Sequence, residues 1–224
     1  MPPTDPRHQL LTLIATHSFK LGDFILASGA RSDYYIDCRV TTLHAEGGRL
    51  TGIVLLDLIR EHCPTALAVG GLTMGADPVV SNVASASAWE LADYKEFHEL
   101  APDEDHGEEP ALLHGFLVRK AEKTHGTGRR VEGFLKAGAP VVIVDDVCTT
   151  GGSTIMAIEA TRDAGMKDVG VFCLVDREQG GRLKIEQALA EIPSDDDVPF
   201  VSAFTAADVR RAHLALHVGG QRLG

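Results

Sequence analysis

No apolar stretch in the sequence approaches the length that spans a bilayer, so no helical membrane anchor is expected. Residues Met1–Asp5 are proline-rich and lack the basic region and apolar core of a secretory leader. Cysteine is sparse and scattered. Cys38, Cys63, Cys148 and Cys173 form no CxxC pair, which argues against a zinc knuckle or disulfide framework and points to a reducing cytoplasm. Bases are outnumbered, 21 Lys and Arg against 32 Asp and Glu, for a formal charge of −11. An acidic surface disfavours nucleic acid and anionic membranes as main partners, although a local cluster of cations still binds a small anion. Two nucleotide signatures are also missing: there is no GxxxxGK[ST] and no GxGxxG.

What is present is a chain of 224 residues with 44% hydrophobic content, enough to bury the core of one domain over 1–224. Periodicity predicts an amphipathic helix over 7–18, short strands over 24–26 and 34–40, and a long helix over 46–62. From there strands and helices alternate. Apolar strands are expected at 66–70, 116–118, 141–144 and 169–175. Asp77-Pro78 suits a helix start, Ser153 or Thr154 suits another, and Gly165 suits that second helix's stop. The rhythm predicts an α/β fold with a mostly parallel central sheet flanked by helices. Thr205 and Asp208 have the spacing of a capping box for a last helix.

Residues 85–114 interrupt the rhythm. Nine acids lie between Glu90 and Glu109 with Lys95 as the only Lys or Arg, and His98, His106 and His114 lie within or beside them. This reads as a solvated helical excursion and loop inserted between core elements, since no paired ligand spacing supports a metal site.

The segment from Val141 to Thr154 carries the chemistry. A buried strand ends in Asp145 and Asp146, a turn rich in glycine and hydroxyls follows, and a helix begins. Ligands of open parallel sheets bind beyond the carboxyl ends of strands, and a helix N-terminus offers free N–H groups to a phosphate. Gly151 and Gly152 allow close approach, and Thr149, Thr150, Ser153 and Thr154 offer hydroxyls. The two carboxylates repel that phosphate, so they need another partner on the same ligand: sugar hydroxyls or a divalent cation. A phosphorylated sugar satisfies both halves. A phosphate-accepting aspartate would need Asp-x-Asp, and Val147 stands at the third position. A second segment, Arg119–Arg130, gathers Arg119, Lys120, Lys123, Arg129 and Arg130, with His125, around glycines and few apolar groups. It suits a mobile lid, roughly 119–132, closing over a polyanion such as a departing pyrophosphate.

These residues resemble a known family. Asp145–Thr154 resembles the phosphoribosyl pyrophosphate (PRPP) motif of type I phosphoribosyltransferases. Four further segments resemble orotate phosphoribosyltransferases in the family's order: Phe24–Gly29 with Ser32–Asp37, Gly70–Pro78, Arg119–Gly126 and Val175–Gly181. The resemblance implies a type I phosphoribosyltransferase fold with a small N-terminal hood over roughly residues 1–40. It implies transfer of ribose 5-phosphate from PRPP to orotate, giving orotidine 5′-monophosphate and pyrophosphate in de novo pyrimidine synthesis.

By position, the resemblance gives Lys123, His125 and Asp146 catalytic roles. PRPP would be bound by Arg119, Lys120, Lys123, His125, Asp145, Asp146, Val147, Cys148, Thr149, Thr150, Gly151, Gly152 and Ser153. Thr149, Arg177, Tyr34 and Tyr35 would face orotate. Mg²⁺ would arrive mainly on PRPP, with no protein ligand assigned, and the lid would reach a neighbouring subunit of a homodimer. Two features depart from the family. Ala27 stands where members often carry Lys or Ser, and the acidic stretch lengthens the path to the lid. Two other readings stay open: a type I enzyme acting on a purine or uracil, and a non-catalytic, nucleotide-sensing RNA-binding regulator of the same fold.

Overall fold

The computed structural model describes residues 5–25, 29, 31–102, 107–120, 130–190 and 198–220, with side chains to 217. Helix α1 (Pro6–Leu13) is capped by Asp5, whose carboxylate accepts the Arg7 amide at 3.0 Å, and runs on into a wider π-type turn, Ile14–Ser18. An antiparallel hairpin follows, β1 (Phe19–Ile25) with β2 (Arg31–Ile36). The first strand starts earlier than the sequence pattern suggested, and the second ends earlier. Its exit has a local cause: Asp37 accepts the Arg39 backbone amide at 3.1 Å and grips the guanidinium at 2.8 and 2.7 Å. That turn converts residues 39–42 into the short helix α2 (Arg39–Thr42). Ala27 lies outside the described residues.

Helix α3 (Ala45–His62) leads to β3 (Ala68–Leu72), α4 (Ala76–Leu100), β4 (His114–Val118), β5 (Val131–Gly133) and β6 (Pro140–Cys148). Then come α5 (Gly152–Asp163), β7 (Lys167–Asp176), α6 (Gly181–Ala190), β8 (Phe200–Thr205) and α7 (Ala206–Gly220). Six strands form one sheet in the order β5-β4-β3-β6-β7-β8, parallel throughout except for β5. The expected mostly parallel sheet is present.

Both faces of that sheet are covered because successive strand residues point in opposite directions. Val142 and Val144 of β6 join the core beneath α1, α3 and α4, whereas Val141 and Ile143 join the core beneath α5. The pattern repeats in β7, with Phe172 and Leu174 on the first face and Val171 and Cys173 on the second. The capping box at the last helix forms reciprocally: Thr205 donates its amide to Asp208 at 2.9 Å, and the Asp208 amide donates to the Thr205 hydroxyl at 3.1 Å.

The acidic stretch is helical to residue 100: residues 85–100 form the last turns of α4, which runs 25 residues. Val79, Val80, Val83 and Ser87 bury its first half, and beyond Ser87 none of its residues is buried. The overhang is tied back by Arg60, which reaches Glu90 at 2.9 Å, and by the Tyr94 hydroxyl, which donates to the Gly107 carbonyl at 3.2 Å.

Candidate active site

The chain leaves β3 toward β4 on one side and returns to place β6 on the other, so these neighbours diverge at their carboxyl ends. Such a switch point opens a crevice. Here it is a cleft of about 670 Å³, walled by the β3 exit Leu72–Gly75, by Asp145, Asp146 and Val147, and by Thr149 and Ser153. The hood contributes Tyr35, Ile36, Asp37 and Arg39, Arg119 and Lys120 follow the end of β4, and Arg177 also lines the cleft. The Thr73–Met74 peptide in the β3 exit is cis.

Asp145 is buried, and both its oxygens are engaged. One accepts the Asp146 amide at 3.0 Å and the other the Thr154 hydroxyl at 3.1 Å. Asp146 is more accessible, and one of its oxygens accepts the Val147 amide at 2.9 Å. Burial pushes both carboxyls above the ordinary carboxylate range, and for Asp145 the neighbouring Asp146 charge adds to the push. The Thr154 bond acts the other way on Asp145. Two adjacent acids that resist ionising together want positive charge or hydroxyl donors from a ligand. Gly75 makes room for them: a methyl group there would lie 2.5 Å from an Asp146 oxygen.

The helix after the acids begins differently from the sequence expectation. Neither Ser153 nor Thr154 caps it. The cap position is Gly151, in the left-handed conformation at φ 79°, and no side chain bonds the first-turn amides. An uncapped N-terminus keeps its donors for a ligand. Thr154 is buried on Asp145 and does not offer its hydroxyl to a phosphate. The Cys148 thiol is buried too, pushed up to about 12 chiefly by desolvation, so only the backbone of that residue can serve a ligand.

Arg177 is 7% exposed, and its Nε and Nη2 have no hydrogen-bond partner among the described residues. Its acidic neighbours are engaged elsewhere: Asp176 accepts the Glu178 amide at 2.8 Å, and Glu178 accepts the Ala207 amide at 3.4 Å. A buried guanidinium with free donors beside a cleft is a receptor for an anion. It lies 4.9 Å from the centre of the Tyr34 ring.

Of the residues singled out from sequence, Arg119, Lys120, Asp145, Asp146, Val147, Thr149, Ser153, Arg177 and Tyr35 meet at this cleft. Tyr34 sits behind Arg177 instead of on the wall. Thr150 and Gly152 are exposed on the turn just beyond, and Gly151 is buried beneath it. Lys123 and His125 lie outside the described residues. The ends of their segment are described: the Arg119 amide donates to the Arg130 carbonyl at 2.8 Å, closing the connection between antiparallel β4 and β5. Sequence reasoning missed Arg39, paired to Asp37 on the hood wall, and the supporting bond from Thr154. An Asp-x-Arg step after a strand was the only signal for the first.

A crevice at the switch point of a parallel sheet, with an acid pair running into an uncapped helix, defines a phosphoribosyltransferase site. The sequence profile of the phosphoribosyl transferase domain matches residues 116–205. An orotate phosphoribosyltransferase from Synechocystis sp. is 39% identical over 208 residues, covering 92% of this chain and 90% of that protein. The orotate phosphoribosyltransferase of Mycobacterium tuberculosis H37Rv superposes with a TM-score of 0.69 at 32% identity, covering 92% of this chain and 99% of the other. Its complex with PRPP gives 0.67 at 28% identity, with the same coverage of 92% and 99%. The chain belongs to the orotate phosphoribosyltransferase family.

Proposed function

We propose that this chain transfers ribose 5-phosphate from PRPP to orotate, releasing pyrophosphate and forming orotidine 5′-monophosphate for pyrimidine synthesis. The observation that carries the acceptor is Arg177, a buried cation that lines the cleft holding the acid pair and whose Nε and Nη2 have no hydrogen-bond partner among the described residues. Orotate brings a carboxylate that matches it, and hypoxanthine and uracil bring none.

The residues divide the work by charge. The open N-terminus of α5, with Thr149 and Ser153, takes the 5′-phosphate. Asp146, backed by Asp145, accepts the ribose hydroxyls and faces the positive charge that develops on the ribose carbon as the bond to pyrophosphate breaks. Arg119 and Lys120 neutralise the departing pyrophosphate, joined by Lys123 and His125 of the lid. No cluster of three or more metal-type side chains occurs among the described residues, and one or two carboxylates are what Mg²⁺ needs when substrate phosphates supply its other ligands. The donor set therefore fits Mg²⁺ carried on PRPP, which the more accessible carboxylate of Asp146 could help to hold. When bound, it supplies countercharge to the pyrophosphate.

We further infer a single domain over 1–224 that works as a cytoplasmic homodimer, the lid of one subunit serving its partner's cleft. No described helix is long and apolar enough to cross a membrane. A panel of orotate, uracil, hypoxanthine and adenine, with PRPP and with or without Mg²⁺, tests the reading through pyrophosphate release. Release with orotate alone, dependent on Mg²⁺, is the expected result. Turnover of a purine or uracil in place of orotate would overturn the acceptor. Mixing Lys123→Ala with Asp146→Ala subunits tests the shared lid, since one intact site per mixed dimer restores part of the activity.

A further inference from the structure

No carboxylate among the described residues bonds Arg177 to aim it. Its guanidinium is buried with Nε and Nη2 unpartnered, and the contact seen on its face is the Tyr34 ring, 4.9 Å away. Tyr34 does not stand alone. Its ring stacks on Phe19 with centroids 5.5 Å apart and planes 17° from parallel. Phe19 is 2% exposed and meets the His213 ring at 5.0 Å. His213 is anchored in turn, its Nδ1 lying 2.8 Å from the Ala15 carbonyl oxygen. That oxygen only accepts, so Nδ1 carries the hydrogen.

The topology explains the column. Phe19 on β1 pairs directly with Ile36 of β2, so Tyr34 is its diagonal neighbour, within reach of aromatic side chains. Helix α7 brings His213 against the other edge of Phe19. Four groups from the β7 exit, β2, β1 and α7 thus form a continuous column of contacts that ends on the guanidinium, stacked between Phe19 and Tyr34 and tilted by 55° between Phe19 and His213. An aromatic face attracts a cation without using any of its N–H donors. A carboxylate in the same place would occupy those donors and compete with a substrate anion.

We propose that Tyr34, held by Phe19, is a positioning residue for the acceptor: it fixes the plane of Arg177 without engaging its N–H donors, which stay available to the substrate carboxylate. The inference rests on the proposed orotate reaction and assigns Tyr34 a role through Arg177, not through its own hydroxyl.

The experiment is steady-state kinetics of the full-length protein, with orotate and PRPP varied separately, on Tyr34→Leu, Tyr34→Phe and Phe19→Leu. Tyr34→Leu keeps apolar bulk and loses the π face, so the orotate KM rises about 10-fold while the PRPP KM and kcat stay within about twofold. Tyr34→Phe keeps the face and restores the orotate KM to within about twofold of the unmodified protein. Phe19→Leu loosens the support and raises the orotate KM about threefold, again without moving the PRPP KM. A Tyr34→Phe variant as impaired as Tyr34→Leu would assign the effect to the hydroxyl and overturn the proposal. So would equal rises in both KM values, or an unchanged orotate KM in Tyr34→Leu. If Tyr34→Leu does not fold, the Tyr34→Phe and Phe19→Leu results decide by the same criteria. Failure of the unmodified protein to use orotate at all would instead refute the proposed reaction, so the two failures are distinguishable.

Discussion

Gly75→Ala isolates the geometry of the acid pair from everything else in the cleft. Gly75 has φ −63° and ψ −41°, a right-handed conformation that alanine adopts freely. The substitution therefore adds one methyl group and no backbone strain. That methyl would lie 2.5 Å from an Asp146 oxygen and 3.1 Å from its carboxyl carbon. Ordinary heavy-atom contacts sit near 3.5 Å, so the carboxylate must move by about 1 Å. A misplacement of about 1 Å lowers turnover on the order of 100-fold, or about 2.7 kcal/mol of barrier. Stability changes little, because an allowed Gly→Ala gains about 0.4–1 kcal/mol through the unfolded chain and offsets much of the crowding. The assay is pyrophosphate release at saturating substrates, alongside a thermal melt. A double-mutant cycle supplies the refutation: in an Asp146→Ala background the methyl has no carboxylate to displace, so the second substitution lowers the residual rate by less than about twofold. If Gly75→Ala leaves kcat within about threefold, or lowers it equally in both backgrounds, the displacement argument is wrong.

Thr154→Val keeps shape and removes the hydroxyl that lowers the Asp145 pKa, so the acid limb of the pH–rate profile moves to higher pH; the lost buried bond costs about 1–2 kcal/mol in a urea titration. The pH dependence of stability has a definite sign. The Asp145 pKa is raised on folding, so the native state binds the extra proton, and this contribution is present below the unfolded carboxyl pKa and lost as pH rises through the folded value. Asp145→Asn, compared with the unmodified chain in urea across that window without substrates, gains relative stability as pH rises; a constant difference would refute the shift. Arg162→Ala tests the scaffold: Arg162 holds the buried Asp168 at 2.8 and 2.9 Å and donates to the Ala188 carbonyl at 3.1 Å. Leaving Asp168 unpaired costs about 3 kcal/mol and lowers Tm by roughly 6–12 °C, with KM values unmoved.

The parts legible in the sequence were those with a strong local signature. The run Val141–Val144 is apolar on both faces because β6 is covered on both, and the acids, glycines and hydroxyls that follow can be read one after another. The helix cap was misread for a physical reason. Ser153 and Thr154 are ordinary capping residues, but the choice of Gly151 depends on a left-handed turn and on the burial of Thr154 against Asp145, which lies nine residues back. The acidic stretch broke the strand–helix rhythm because the helix pattern loses its apolar face past Ser87. It loses that face because α4 outruns the sheet. Arg39 left only the local Asp-x-Arg signal, because its place in the cleft depends on how the hood folds over the sheet. The free donors of Arg177 were equally hidden, since only the fold shows that Asp176 and Glu178 point elsewhere.

The acid pair and Arg177 sit on neighbouring strands in fixed register: Asp145 of β6 pairs with Cys173 of β7, and Arg177 follows the last residue of β7. Cys148 of β6 pairs with Asp176 of β7, and the Arg177 amide donates to the Cys148 carbonyl at 2.9 Å. Neighbouring strands are separated by about 4.8 Å, a spacing set by the peptide hydrogen bond and indifferent to side chains. The gap between the groups proposed to hold the sugar and the group proposed to hold the base is therefore set by a backbone ruler, the strand spacing across the sheet and the rise per residue along it. Substitutions beyond Asp176 can redraw the choice of base while the ruler, and with it the sugar's seat, stays where it is.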